Sequence, residues 1–345
     1  MGLVREAENH WNGRSVLVTG ASGLVGSWMV PALVARGAAV TVLVRDTVPG
    51  QLPSDGIRVV QGSLSNGDML RRTMAECAIQ TVFHLGAQTV VGVSKADATG
   101  TLESNVRGTW NVLEAARQNK VRQTLIASTM FVAATEALPG QPGIMLPPPR
   151  SAYEISKVCT ERIAHMYAHT YGTPVGIVRC GNLYGGCDLN FSRLIPGAVR
   201  ATLRGERFQF RSDGSLMRDF LYVEDAVAAY LLLAQKIAED PSPVIRTVSF
   251  GLGRRYSLLE TVGMIARLAG REDIPPIVGD SPGTEISEEA MDNGPARNQL
   301  GWAPQFGIEE GLSRTIEWFR GHLGEAIHAA PALVEQVDRR ERLVQ

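Results

Sequence analysis

Tyr153 and Lys157 stand four residues apart in Ser-Ala-Tyr-Glu-Ile-Ser-Lys, a spacing that puts both side chains on one face of a helix. A free phenol has a pKa of about 10, so its phenolate is scarce at neutral pH. An ammonium one turn away favours the phenolate, and the positive charge of an oxidised nicotinamide would favour it further. Lowering the phenol by roughly 3 units takes about 4 kcal/mol, within reach of two close cations in a partly desolvated site. Tyr153 is then a base that can take the proton of an alcohol whose carbon gives up hydride. Ser128 and Thr129, directly after the apolar run Thr124 to Ala127, are both available to hold that alcohol. Each of these features is commonplace alone; their combination with a dinucleotide loop, in this chain order, is far more specific.

That loop is Thr19-Gly20-Ala21-Ser22-Gly23-Leu24-Val25-Gly26, placed between an apolar run and a helical stretch. Glycines at 20, 23 and 26 permit a tight turn and a close backbone approach to a pyrophosphate, and the following helix N-terminus adds partial positive charge. Gly20, Ser22, Gly23, Leu24, Val25 and Gly26 are therefore cofactor-binding candidates. After the second strand come Arg45 and Asp46. An acid there binds a ribose diol and an arginine accommodates a 2′-phosphate, so Asp46 favours NAD while Arg45 keeps NADP as the alternative. Ser63 and Leu64, after the third strand, are placed to flank the adenine.

These residues need a scaffold, and the pattern supplies one. Ser15 to Val18, Ala39 to Val44, Ile57 to Val60, Thr81 to Leu85, Thr124 to Ala127 and Val175 to Val178 read as buried strands. Val25 to Arg36, Asp68 to Glu76, Leu102 to Gln118 and Ala152 to Tyr171 have helical spacing between them. This alternation predicts an α/β fold: a Rossmann-type doubly wound parallel sheet. The pattern changes after Arg179, which predicts a smaller, discontinuous C-terminal substrate domain. The expected division is 1–179 with about 219–250 as the NAD(P)-binding domain, 180–218 with 251–325 as the substrate domain, and 326–345 as a tail.

The 345 residues are 44% hydrophobic and 20% charged, ordinary globular values, and 34 basic against 35 acidic residues leave a net charge of -1. No field exists to hold nucleic acid or an anionic membrane. Cys77, Cys159, Cys180 and Cys187 form no CxxC pair and no metal-spaced cluster, so no metal site is expected. With no apolar run approaching a membrane span, a cytoplasmic location with free thiols is expected.

From about Asn12 to Arg320 the chain resembles the extended short-chain dehydrogenase/reductases of the nucleotide-sugar epimerase/dehydratase group. The likeness rests on TGASGLVG, YEISK, HLGAQ (84–88), SNVRGTWNVLEA (104–115), RCGNLYGGCDLN (179–190), RDFLYVEDA (218–226) and LGW (300–302). The stretch GNLYGGCDLNFSRLIPG resembles the CDP-glucose 4,6-dehydratases especially. The resemblance implies tightly bound NAD, a nucleotide-diphosphate sugar as substrate, and a homodimer formed through Leu102 to Gln118 and Ala152 to Tyr171. It implies that Thr129 is the hydroxyl catalyst, that Asn182 contacts the diphosphate and that Arg218 clamps it, a role suited to an arginine fork. Leu85, Ala87 and Gln88 would line the cofactor, with Gln88 also touching substrate. Asn190 and Arg193 join the substrate candidates, as do Phe208 and Phe210, which either pack on the nucleobase or form one face of a strand.

One departure is informative. The 4,6-dehydratases carry Asp-Glu or Asp-Lys after the hydroxyl catalyst; this chain has Met130 and Phe131. Neither transfers protons, and acid-base assistance is worth roughly a hundred- to ten-thousand-fold per group. The hydride machinery is kept and the groups for eliminating water are not, so the expectation is an epimerase that oxidises and re-reduces a secondary carbinol, most simply C4. The alternatives are a dehydratase with relocated acid and base, a ketoreductase, or a non-enzymatic dinucleotide sensor. Met130 and Phe131 either wall the sugar site or pack in the core. His84, inside an apolar strand, is expected to be structural, and Cys187 either takes no part or lines the sugar site or supplies a thiol there. The segment 134–150 holds five prolines and serves as a substrate-selecting loop or a stiff connector.

Overall fold

The computed structural model describes residues 10–45, 52–133, 151–240, 245–281 and 290–329. Ten strands form there: β1 (Ser15–Thr19), β2 (Ala39–Val44), β3 (Ile57–Gln61), β4 (Thr81–His84), β5 (Gln123–Thr129), β6 (Val175–Cys180), β7 (Asn182–Tyr184), β8 (Met217–Tyr222), β9 (Ile245–Phe250) and β10 (Arg255–Ser257). The helices are α1 (Leu24–Val34), α2 (Gly67–Glu76), α3 (Val91–Ala96), α4 (Ala98–Leu102), α5 (Gly108–Gln118), α6 (Met130–Ala133), α7 (Ala152–Tyr171), α8 (Leu194–Arg204), α9 (Val223–Glu239), α10 (Leu258–Ala269), α11 (Gly294–Leu300) and α12 (Ile308–Ala329). A single π-helical turn, Glu103–Arg107, joins α4 to α5.

Seven strands make one sheet in the order β3-β2-β1-β4-β5-β6-β9. Pairing is parallel between β1 and β2, β1 and β4, β2 and β3, β4 and β5, and β5 and β6. β4 and β6 are buried along their whole length, which explains why these strands read as unbroken apolar runs rather than alternating ones. Successive residues still face opposite sides. Leu17 and Val82 pack with Leu70 and Met74 of α2 and Val112, Ala115 and Ala116 of α5. Phe83 turns the other way, onto the rings of Trp11 and Tyr230. A further core joins Leu113, Ile126 and Ile177 to Ala164 and Tyr167 of α7. α7 starts at Ser151, whose hydroxyl accepts from the Glu154 N–H, and stops at Gly172 in the left-handed conformation.

The chain divides into two compact units. The first comprises Met1–Cys180, Val227–Ser249 and Asn298–Trp302; the second comprises Gly181–Ala226, Phe250–Arg297 and Ala303–Gln345. The segment 219–226, expected with the nucleotide-binding part, falls in the second unit. There β8 pairs with β7 in parallel and with β10 antiparallel. In that unit the carboxylate of Asp219 is fully buried and accepts the N–H groups of Leu252, Gly253 and Met291 at 2.8, 3.0 and 2.9 Å. Asp225 likewise accepts from Gln305 and Phe306. Both acids are clamps on loop backbone, since buried N–H groups need acceptors.

Among the described residues no helix is long and apolar enough to cross a membrane, and no group of His, Cys, Asp and Glu could hold a metal ion. All four cysteines are free.

Candidate active site

The sheet order reverses between β1 and β4, and the glycine loop opens there. Gly20 has φ +70, and a Cβ on it would lie 2.6 Å from the backbone nitrogen of Gly86, after β4. A Cβ on Gly26 would lie 2.3 Å from the Gly20 carbonyl. Neither position tolerates a side chain. Gly23 differs: it is exposed and caps α1 with no side-chain bond, and an added Cβ would meet only the Gly20 oxygen, at 3.4 Å. The space that side chain would fill lies at the mouth of α1, where N–H groups of the first turn lack intrahelical acceptors. That is the geometry a diphosphate needs. Ser22 is exposed and Leu24 and Val25 half-buried around it.

Leu85 donates its N–H to the Thr19 carbonyl at 3.2 Å. Leu64 packs on Gly86 and Gly108, while Ser63 is exposed and bonds Ser65. Arg45 is exposed at the end of β2; Asp46 lies outside the described residues, as does the segment 134–150.

His84 is a structural link. Its Nδ1 lies 2.8 Å from the Thr19 hydroxyl, which accepts from the Gly86 N–H, and its Nε2 lies 3.0 Å from the Thr109 hydroxyl, which donates to the Asn105 carbonyl. This chain of donors places the ring proton on Nε2. Burial pushes the His84 pKa down to about 3, with Lys157 adding to the effect, so the ring is neutral.

Asn105 was not foreseen. From the π-helical turn its amide oxygen accepts the Gln88 N–H at 2.6 Å, and its nitrogen donates to the Gln88 carbonyl at 3.0 Å and to the Ser156 hydroxyl at 2.9 Å. Ser156 donates in turn to the Tyr153 carbonyl at 2.7 Å. One side chain thus fixes the segment Leu85, Ala87, Gln88 to the first turn of the tyrosine helix. The available signal was an asparagine inside a helical stretch, where its side chain competes with the ladder unless it is used elsewhere.

Tyr153 is half-buried in the first turn of α7, and Lys157 one turn later is 5% exposed, its Nζ donating to the Ala127 carbonyl at 2.8 Å. Burial lowers the Lys157 pKa to about 8, opposed by the charge of Glu161. The pair is therefore anchored on the end of β5, where the sequence offered two hydroxyls. Strand alternation separates them: Ser128 donates its hydroxyl to Glu161, whereas among the described residues the hydroxyl of the buried Thr129 accepts a long contact, 3.5 Å, from the Phe131 N–H. Of the two hydroxyls the sequence makes available, that of Ser128 is thus engaged with a buried carboxylate. Met130 and Phe131 open α6 and are both half-buried, not sealed in the core.

In the second unit the nitrogen of Asn182 donates to the Asp219 carbonyl at 3.4 Å. Arg218, in β8, is 7% exposed and donates from Nη1 to the Met217 carbonyl at 2.9 Å. Asn190 accepts the N–H and hydroxyl of Ser192, a local turn role, and Arg193 pairs with the buried Asp188 at 3.0 Å. Phe208 and Phe210 meet edge to face at 5.1 Å, but only Phe208 is half-exposed; Phe210 is buried.

Cys187 sits at φ +69, a conformation that costs a non-glycine residue about 1–2 kcal/mol, and burial pushes its thiol up to about 11. A protonated thiol is a poor nucleophile. Cys187→Gly is expected to leave turnover unchanged and the melting temperature no lower, because relief of backbone strain offsets the lost contacts. A tenfold fall in turnover would instead show that the thiol acts.

Residues 16–248 match the NAD dependent epimerase/dehydratase family. The chain belongs to that family. A dTDP-glucose 4,6-dehydratase of Mycolicibacterium smegmatis is 30% identical over 318 residues, covering 89% of this chain and 93% of the relative. A UDP-glucose 4-epimerase of the same organism is 31% identical over 319 residues, covering 88% and 98%. The solved structure of MoeE5 in complex with UDP-glucose and NAD superimposes with a TM-score of 0.75 at 31% identity, covering 90% of this chain and all but 1% of that one, at 99%. The family is NAD dependent, and the open cradle at Gly23 fits a dinucleotide. Dehydratases and epimerases stand at the same distance, so the family membership leaves the reaction to be argued from the residues.

Proposed function

We propose that this enzyme is a nucleotide-sugar epimerase that inverts a secondary carbinol, C4 of the sugar, through a transient ketone. Bound NAD supplies a two-electron acceptor that takes and returns a hydride. Tyr153 takes the hydroxyl proton and gives it back; Lys157 holds positive charge beside it; Thr129 orients the alcohol. The observation that carries the reading is the start of α6, where half-buried Met130 and Phe131 follow Thr129 in place of an acid and a base. Their apolar side chains cannot take a proton from C5 or deliver one to a leaving hydroxyl. Asn182 and Arg218 are the proposed diphosphate contacts and Phe208 the base contact; UDP-sugars are the first substrates to test, in keeping with the relatives.

Incubation with UDP-glucose in deuterated water is expected to give UDP-galactose with no deuterium on carbon, read by proton NMR. A 4-keto-6-deoxy product, or deuterium at C5, would overturn the reading in favour of a dehydratase. We also propose a homodimer. Ile155 and Met166, eleven residues apart on one face of α7, are exposed together with Leu102 and Trp110, an apolar surface that a second copy can cover isologously. Light scattering is expected to return twice the chain mass, and a monomer would refute it.

A further inference from the structure

Beneath Lys157 lies a buried ion pair that the proposed chemistry does not use. Glu161 and Arg179 are 4% and 7% exposed, and the guanidinium grips the carboxylate with two bonds, Nε to Oε1 at 2.9 Å and Nη2 to Oε2 at 2.6 Å. The Ser128 hydroxyl donates to the same Oε1. Ser128 and Arg179 face each other across β5 and β6, so Glu161 reaches down from α7 onto both strands at once. Tyr153, Lys157 and Glu161 follow at intervals of four along one face of α7. Burying two charges is costly, and such a pair adds little stability over apolar replacements of similar size. Its position, one turn from Lys157, gives it a different use.

We infer that Glu161 is a positioning residue for the Tyr153/Lys157 pair: held by Ser128 and Arg179, its carboxylate keeps the buried amine of Lys157 charged. The inference rests on the reading that this pair moves the proton. Burial drives Lys157 towards the neutral amine, and a neutral amine would no longer favour the phenolate of Tyr153. The carboxylate opposes that drift, in the direction found for Lys157. No other acid does this work among the described groups around the helix. Glu103 and Arg107 of the π turn pair with each other, and Glu114 of α5 pairs with Arg117 and accepts from Tyr167. His84 of β4 is neutral, and burial likewise lowers His165 on α7. Arg162 of α7 is a cation, while Cys180 of β6 and Tyr230 of α9 are kept protonated by burial.

The chain has only four lysines, at 95, 120, 157 and 236, so a protein labelled with carbon-13 lysine gives few signals, and the one lost in Lys157→Met identifies Lys157. Titrating the Cε resonance of the NAD-loaded enzyme reads the charge of Lys157 without substrate. In Glu161→Gln the midpoint is expected to fall by about one pH unit, and the alkaline limb of kcat with UDP-glucose to fall with it, about tenfold lower turnover on that limb. Glu161→Leu/Arg179→Met removes both charges together and guards against misfolding of the single variant; its midpoint is expected to fall by less than that of Glu161→Gln, because loss of the guanidinium offsets part of the loss of the carboxylate one turn from Lys157. Unchanged Lys157 titration in either folded variant would overturn the inference and leave Glu161 a structural residue. Failure of the epimerase reading shows separately, in the UDP-glucose products and in Tyr153→Phe, neither of which decides the lysine titration.

Discussion

Tyr153→Phe is expected to lower turnover of UDP-glucose by about a hundred- to ten-thousand-fold while the protein still purifies with NAD and melts at the parent temperature. The phenol sits half-buried in the first turn of α7, and its backbone is held by Ser151, Ser156 and Asn105 independently of the hydroxyl. Removing the oxygen therefore takes away the proposed proton acceptor while these backbone bonds remain. The residual rate comes from bound cofactor and from orientation by Thr129. A stopped assay by NMR, alongside the absorbance of extracted cofactor, measures both quantities. Undiminished turnover would remove Tyr153 from the chemistry and with it the proposed mechanism.

Lys157→Met is expected to abolish turnover and at the same time to stabilise the fold near neutral pH. The lysine is 5% exposed, and burial holds its pKa at about 8 against an ordinary 10.5. The cost of carrying that charge is about 3 kcal/mol, and after the lost bond to the Ala127 carbonyl a net gain on the order of 1–2 kcal/mol remains. The sign with pH follows from proton counting. Between about pH 8 and 10.5 the unfolded lysine holds a proton that the folded one has released, so the parent gains stability as pH rises through that window. The variant has no such group, so its advantage shrinks over the same range. Tyr167, raised to about 12 by burial and its bond to Glu114, works oppositely above pH 10, and comparison of the two proteins cancels it. Urea midpoints measured across this range test the claim; a variant no more stable than the parent near neutrality would refute it.

What the sequence shows of the candidate site is its local geometry. The Tyr-x-x-x-Lys spacing forces two side chains onto one helical face, and Gly26 is demanded by the backbone of Gly20 and Ala21 a few residues before it, although Gly20 itself is demanded by Gly86, far along the chain. The parallel sheet followed from apolar runs such as those of β4 and β6, covered on both faces, but β3, expected to be buried, is an edge strand with Val59 exposed, because an apolar run does not say which strand ends the sheet. The missing acid and base were visible as Met130 and Phe131 without any coordinates. The place of 219–226 was not legible: it groups with the second unit, where β8 pairs with β7 and β10, three-residue strands too short to leave a periodic signal.

The sequence by itself determined the residue types at hand for the proposed chemistry: a tyrosine and a lysine one helical turn apart, a glycine-rich turn between strand and helix, and Met130 and Phe131 after Thr129. Tertiary structure alone decided that the Ser128 hydroxyl is taken by Glu161, thirty-three residues along the chain. It also decided that Asn105 ties Gln88 to Ser156, and that Asp219 gathers the backbone at 252, 253 and 291. The reason is common to all three. Periodicity reports which face of an element is buried, but the partner of a buried polar group is set by which other element the chain brings against it, and no local pattern encodes that meeting.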